Sequence, residues 1–222
     1  MKRPRICGVL INKDLELVRV SEGLVDLFEV RIDLIGDGWQ EVARQLRKPW
    51  VVCNRTVDEG GRWKGDEKGR TEELLKAVEL GADMVDLELR TRNLGEIVGL
   101  IKKRTKCLLS FHELNGTPTL GEMKGIVQRE LEAGGDVCKV VTTARRFEDN
   151  LTVLQLITEF PDVRVISFAM GPLGLVSRIL CPVVGGDFVY ASLEEGYESA
   201  SGQITAGGLR RMYELRGKGR TG

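Results

Sequence analysis

The chain of 222 residues is long enough for one domain or two small ones, and long enough to bury a core without disulfide or metal staples. Its 33 basic and 33 acidic side chains cancel, which argues against a nucleic-acid partner, since that would call for a basic excess or patch. No apolar run approaches a membrane span, the opening segment lacks a signal-peptide core, and five scattered cysteines without a CxxC pair suggest neither a disulfide framework nor a zinc knuckle, so no membrane partner, no metal and a cytoplasmic location are expected.

In chain order, a strand is expected at Arg5–Ile11, followed by a connection (Asn12–Asp26) with a poor helical pattern. The next strand is expected at Leu27–Leu34, a helix at Trp39–Arg47 and a strand at Trp50–Thr56. A helix follows at Thr71–Leu80, with Thr71 as its N-cap, two glutamates in its first turn and Gly81 as its stop. Then come a strand at Met84–Arg90, a helix at Leu94–Arg104, a strand at Cys107–Glu113 and a helix at Leu120–Ala133 closed by Gly134-Gly135. The remaining expectations are strands at Asp136–Thr142, Val163–Met170 and Phe188–Ser192, and helices at Glu148–Phe160 and Ile204–Arg216. Strands alternating with helices imply a parallel sheet, and eight of them in one unit fit a (β/α)8 TIM barrel better than an open doubly wound sheet. The expected organisation is a single barrel domain over residues 1–216 and a frayed basic tail over residues 217–222. No GxGxxG or GxxxxGK[ST] loop is present, which weakens a nucleotide-binding reading.

Strands of a parallel barrel are buried on both faces and should read as nearly continuous aliphatic runs. This chain departs from that repeatedly. Glu29, Arg31 and Asp33 alternate along the second strand, and Asp86, Glu88 and Arg90 along the fourth. Arg55 ends the third strand with Glu59 four residues later, His112 ends the fifth, Lys139 interrupts the sixth and Arg178 follows the seventh. Buried charges are expensive unless paired, and in a barrel the carboxyl ends of the strands line the active-site mouth. The alternating signs of Asp86, Glu88 and Arg90 also fit a plain reading in which the three satisfy one another. Lys139, set in Asp136-Val-Cys-Lys-Val-Val, is a Schiff-base candidate: desolvation and nearby cations would lower its pKa and free a nucleophilic amine. His112, the single histidine, is a candidate general base. Together they suggest a lysine-imine enzyme acting on an anionic carbonyl compound, with Arg31, Arg55 and Arg178 recognising the anion.

Six segments in order carry a resemblance: Glu29-Val-Arg31-Ile-Asp33, Arg55-Thr-Val-Asp-Glu59-Gly-Gly, Ser110-Phe-His112-Glu, Asp136-Val-Cys-Lys139, Met170-Gly-Pro-Leu-Gly-Leu-Val-Ser-Arg178 and Ser199-Ala-Ser-Gly-Gln203-Ile. With them the chain resembles, over nearly its whole length, the type I 3-dehydroquinate dehydratases of the shikimate pathway. The resemblance implies that Lys139 forms an imine with the C3 ketone of 3-dehydroquinate and that His112 moves the C2 proton to the departing C1 hydroxyl. It implies that Glu59 orients His112, that Arg178 holds the substrate carboxylate, and that Glu29, Arg31 and Arg55 surround the ring hydroxyls. Ser199 and Gln203 would belong to a lid, and no metal or organic cofactor would be needed. A homodimer is compatible with the resemblance, although no face for it can be read from the sequence.

Three positions depart from the family pattern: Ser201 replaces a lid proline, Asp187 replaces a serine before the eighth strand, and Phe168 stands where a methionine is common. The nearest rival is a class I aldolase of the same barrel type, with Gly185-Gly186 read as its phosphate loop. A catalytically dead barrel that binds a quinate-like carboxylate is the rival from another class.

Overall fold

The computed structural model describes residues 3–218, with the side chains of the last helix described as far as residue 214. Eight parallel strands follow one another: β1 (Ile6–Leu10), β2 (Leu27–Arg31), β3 (Trp50–Cys53), β4 (Met84–Glu88), β5 (Lys106–His112), β6 (Val137–Thr143), β7 (Val165–Met170) and β8 (Val189–Ser192). Each pairs with the next from β1 to β7, and β8 returns to pair with β1. All eight expected strands are present, in a nearly closed barrel of one domain. Between β7 and β8 a backbone bond and a side-chain pair stand where a ladder would be: Asp187 N–H donates to Val165 O at 2.9 Å, and Arg164 donates to both carboxylate oxygens of Asp187 at 3.2 and 2.7 Å. Asp187, the unexpected residue before the last strand, thus ties β7 to β8 at the amino-terminal end of the barrel. Gly185-Gly186 lies at that same end, opposite the mouth where an aldolase phosphate loop would be needed.

The helices are α1 (Leu15–Ser21), α2 (Ile32–Ile35), α3 (Trp39–Ala43), α4 (Glu67–Glu79), α5 (Leu94–Ile101), α6 (Leu120–Glu132), α7 (Asp149–Thr158), α8 (Leu175–Leu180) and α9 (Ala206–Lys218). Four differences from expectation have identifiable causes. The expected strand to Leu34 ends at Arg31, because the Asp33 carboxylate folds back onto Arg31 and the chain turns into α2. Helix α1 occupies the connection that looked non-helical; Asp14 caps it, and only Val18 and Ser21 are buried, so an apolar stripe is lacking. Helix α4 starts one turn before Thr71, capped by Asp66, with the buried Arg70 in the early polar turn. The last helix runs to Lys218, past the expected start of the tail at residue 217, and residues 219–222 lie outside the described residues.

Strand alternation separates two populations of side chains. Outward residues such as Ile6, Phe28, Val30, Val52, Val85 and Leu109 pack with the helices. Inward residues Cys7, Leu27, Val51, Met84, Leu108, Val137 and Ile166 form an apolar plug in the amino-terminal half, each 5% exposed or less. Each such aliphatic contributes on the order of 1.5–3 kcal/mol of transfer free energy. The inward positions two residues further along these strands are Val9, Glu29, Cys53, Asp86, Ser110, Lys139 and Phe168, so three charged side chains enter the barrel within one layer. Among the described residues no helix is long and apolar enough to cross a membrane.

Candidate active site

One pocket at the carboxyl ends of the strands is lined by all nine residues singled out as catalytic or substrate-binding candidates: Glu29, Arg31, Arg55, Glu59, His112, Lys139, Arg178, Ser199 and Gln203. Leu114, Val141, Phe168, Met170 and Tyr190 give it an apolar wall.

Lys139 projects from the middle of β6, 5% exposed, with its Nζ 2.8 Å from Asp86 Oδ2. Its other close neighbour is the face of the Tyr190 ring, whose centroid lies 4.4 Å from Nζ. The amine therefore has a carboxylate beside it as well as cations, a neighbour the sequence reading did not assign to it. Asp86 also accepts from Arg55 Nη2 at 2.7 Å and Ser110 Oγ at 2.6 Å. Although burial opposes ionisation, Arg55 and Lys139 outweigh it and hold the Asp86 carboxyl far below the usual range. Arg55 is committed to these partners, its Nη1 donating to Ser110 Oγ at 2.8 Å.

The reading in which Asp86, Glu88 and Arg90 satisfy one another is not what the fold does. Glu88 is paired with the buried Arg70, and its Oε1 accepts from Thr56 N–H at 3.0 Å. Arg90 lies beyond the end of β4, about half exposed, with its guanidinium 4.3 Å from the Phe111 centroid.

Glu59 sits at the end of a 3₁₀ turn (Val57–Glu59), and its Oε2 lies 2.8 Å from His112 Nδ1. Gly60 and Gly61 make this turn possible. Gly60 has φ 81°, and a Cβ on Gly61 would overlap the Arg55 carbonyl. Burial pushes the Glu59 carboxyl up to about 7. Burial, then the nearby Arg55 and Lys139 charges, hold the His112 imidazole well below its usual value. The two groups form a dyad whose titration belongs to the pair.

The arginines divide into two kinds. Arg31 is clamped by Asp33 through Nε at 2.9 Å and Nη2 at 2.7 Å, as Arg55 is by Asp86. Arg178, 2% exposed on α8, has no carboxylate partner among the described residues. Its Nη2 donates to Ser201 O at 3.1 Å, its Nε has no acceptor, and its guanidinium lies 4.5 Å from the Phe168 centroid. Burial pushes this guanidinium down to about 10. A buried cation with unused donors is an anion site. Phe168, the departure from methionine, supplies the ring on which it rests.

Ser199 and Gln203 lie on the loop after β8, where Gln203 Oε1 accepts from Ser199 N–H at 2.8 Å and from Ser199 Oγ at 3.2 Å. Ser201 O accepts from Gly171 N–H at 3.4 Å as well as from Arg178, which docks the loop over the pocket. Gly202 permits that docking: its φ is 77°, and a Cβ there would come within 2.7 Å of Gly171 O.

Glu29, Cys53 and Asp86 bring ligand-type atoms within 4.8 Å of one another. Asp86 is already engaged by two basic side chains, Arg55 and Lys139, so this trio is a poor cation site. Asp86, Ser110 and Tyr190 were not among the expected site residues. Asp86 carried a signal, a carboxylate on the inward face of a barrel strand, whereas Tyr190 was concealed in an apolar run.

The family model for type I 3-dehydroquinase matches residues 10–220. A 3-dehydroquinate dehydratase of Dehalococcoides mccartyi (strain ATCC BAA-2266 / KCTC 15142 / 195) is 42% identical over 216 residues, covering 97% of this chain and 96% of that one. The 3-dehydroquinate dehydratase of Methanocaldococcus jannaschii is 33% identical over 196 residues, covering 86% and 88%. Among solved structures, the type I 3-dehydroquinate dehydratase of Clostridium difficile with covalently modified comenic acid superposes with a TM-score of 0.87 at 26% identity, covering 98% of this chain and 94% of that one. With the fold, the pocket and these relatives in agreement, the chain belongs to the type I 3-dehydroquinase family of enzymes.

Proposed function

We propose that this enzyme dehydrates 3-dehydroquinate to 3-dehydroshikimate, the third step of chorismate biosynthesis, through an imine on Lys139. The observation that carries the reading is the unpaired buried Arg178 sharing one pocket with the buried Lys139 and the His112–Glu59 dyad. An anion site, an amine and a base are the three groups this elimination needs.

Arg178 takes the substrate carboxylate, and the lid through Ser199 and Gln203 closes over it, excluding water. The Lys139 amine attacks the C3 ketone once its ammonium has given up a proton, and that proton leaves with the carbonyl oxygen as water, so that ammonium and ketone give protonated imine and one water overall. The C2 proton, made acidic by that electron sink, goes to His112, whose ring Glu59 holds in register. The C–H electron pair forms an enamine, which expels the C1 hydroxyl with the proton His112 returns, and a water then hydrolyses the imine. Glu29, Arg31 and Arg55 sit around the ring hydroxyls, with Arg55 also keeping Asp86 ionised beside Lys139. None of these steps calls for a metal or organic cofactor. Replacing Lys139 with Ala tests the reading: it predicts loss of turnover with the carboxylate still bound, and undiminished turnover refutes it.

A cytoplasmic location belongs to the same proposal, supported by five cysteines that are all free and buried. So does a homodimer. The exposed Phe147, Leu151 and Leu173, joined where Asn150 donates to the carbonyls of Phe147 and Leu173, offer an apolar face for a second copy.

A further inference from the structure

Tyr190 has no part in the chemistry above, yet its ring face lies against the nucleophile. It projects from β8, 5% exposed, and lines the pocket. Its hydroxyl has no hydrogen-bond partner among the described residues. A buried phenol with an orphan hydroxyl is not held for a hydrogen bond within the fold, so what the fold uses is the ring.

That ring is fixed on two sides. Phe188 meets it edge-on with centroids 5.2 Å apart, and Phe168 lies tilted at 6.3 Å. The side facing the pocket is covered by Lys139 Nζ at 4.4 Å. Phe168 in turn carries Arg178 at 4.5 Å. Two neighbouring rings therefore hold two cations, the nitrogen that would bond the ketone and the guanidinium that would bind the carboxylate.

We propose that Tyr190 is a positioning residue for Lys139, its ring face holding the Lys139 nitrogen in line with Arg178 as an ammonium before reaction and as a protonated imine during it. Cation–π attraction acts on any positive nitrogen over the ring face, and it is strongest when desolvated, as here. Asp86 anchors the nitrogen from another direction, so the amine is held by two neighbours with the substrate side left open. Because the charge stays on nitrogen when ammonium and ketone give protonated imine and water, the same ring face holds the nitrogen in one place through both states. This inference rests on the imine reading of Lys139.

The test is borohydride trapping with 3-dehydroquinate, together with kcat and KM, for the wild-type enzyme, Tyr190→Leu, Tyr190→Phe and Phe188→Leu. Tyr190→Leu lets the nitrogen leave its reacting position and is expected to lower kcat and the trapping rate about 30-fold with KM little changed, equivalent to about 2 kcal/mol. Tyr190→Phe keeps the ring and should restore both to within about threefold of wild type. Phe188→Leu removes a ring that packs on Tyr190 but leaves the ring face over Lys139 in place; it should lower Tm and lower kcat far less than Tyr190→Leu does. Equal losses in Tyr190→Leu and Phe188→Leu, or full activity in Tyr190→Leu, overturn the proposal while leaving the imine intact. Absence of any wild-type adduct overturns the imine reading, and the role of Tyr190 with it.

Discussion

Replacing Arg178 with Met separates binding from folding more sharply than any other change in the pocket. Burial brings this guanidinium from its ordinary value down to about 10. At about 1.4 kcal/mol per pKa unit, keeping it charged costs the fold on the order of 3 kcal/mol. Against that stand its bond to the Ser201 carbonyl, worth roughly 1.5–3 kcal/mol, and its stacking on Phe168, roughly 0.5–2 kcal/mol. The terms nearly cancel, so Arg178→Met should change stability by less than about 2 kcal/mol, in either direction. Arg55→Met is the contrasting case, because it takes from the buried carboxylate of Asp86 one of its two cations and breaks a buried ion pair, which should cost about 3–5 kcal/mol. In a chain of this length each kcal/mol moves Tm by roughly 2–4 °C, so the two variants are easily told apart. In catalysis Arg178→Met should lose about 10²–10³-fold in kcat/KM, most of it in KM, since a carboxylate anchor acts in ground and transition states alike. Thermal melts and steady-state assays on both variants decide the matter. A large fall in Tm for Arg178→Met, with kcat/KM of the folded protein unchanged, would make Arg178 a structural residue and refute the reasoning.

Other outcomes follow from the same geometry. The acidic limb of kcat/KM should have its midpoint near 7, where burial places Glu59. In Glu59→Gln it should move to lower pH and the plateau should fall, because His112 alone titrates well below its usual range; an unmoved limb would assign the ionisation to another group. Glu130, wholly buried on α6 with neither oxygen partnered, has its carboxyl pushed well above the usual range, first by burial. Its folded value exceeds its unfolded one, so its contribution to stability is complete below about pH 4 and declines as pH rises towards the folded value. Glu130→Gln should match wild type in urea melts at about pH 4 and exceed it at about pH 8, and equal stability at both would show the carboxyl to be unperturbed. Ser201→Pro restores the lid proline at a position whose N–H makes no hydrogen bond among the described residues. Reduced freedom of the open loop should lower KM about two- to fivefold with kcat little changed, and a raised KM would contradict this.

The eight strands were legible because burial on both faces forces nearly continuous aliphatic runs. The charges that interrupt those runs were legible as a site for the same reason. What escaped was polar. Arg70 and Glu88 draw α4 one turn earlier than its apolar pattern indicates, and Ser177 and Arg178 are the buried residues of α8, a helix without an apolar stripe. The ends of β2 and the partners of Asp86 depend on which charges meet across the barrel, and a one-dimensional alternation of signs does not contain that. Tyr190 escaped for the opposite reason, an aromatic in an apolar strand being what a core requires.

The covalent role of Lys139 is decided by intact mass and peptide mapping after mixing the enzyme with 3-dehydroquinate and borohydride. A single stable adduct is expected on the peptide carrying Lys139, absent in Lys139→Ala. Continued consumption of substrate with no adduct, or an adduct on another residue, would contradict it.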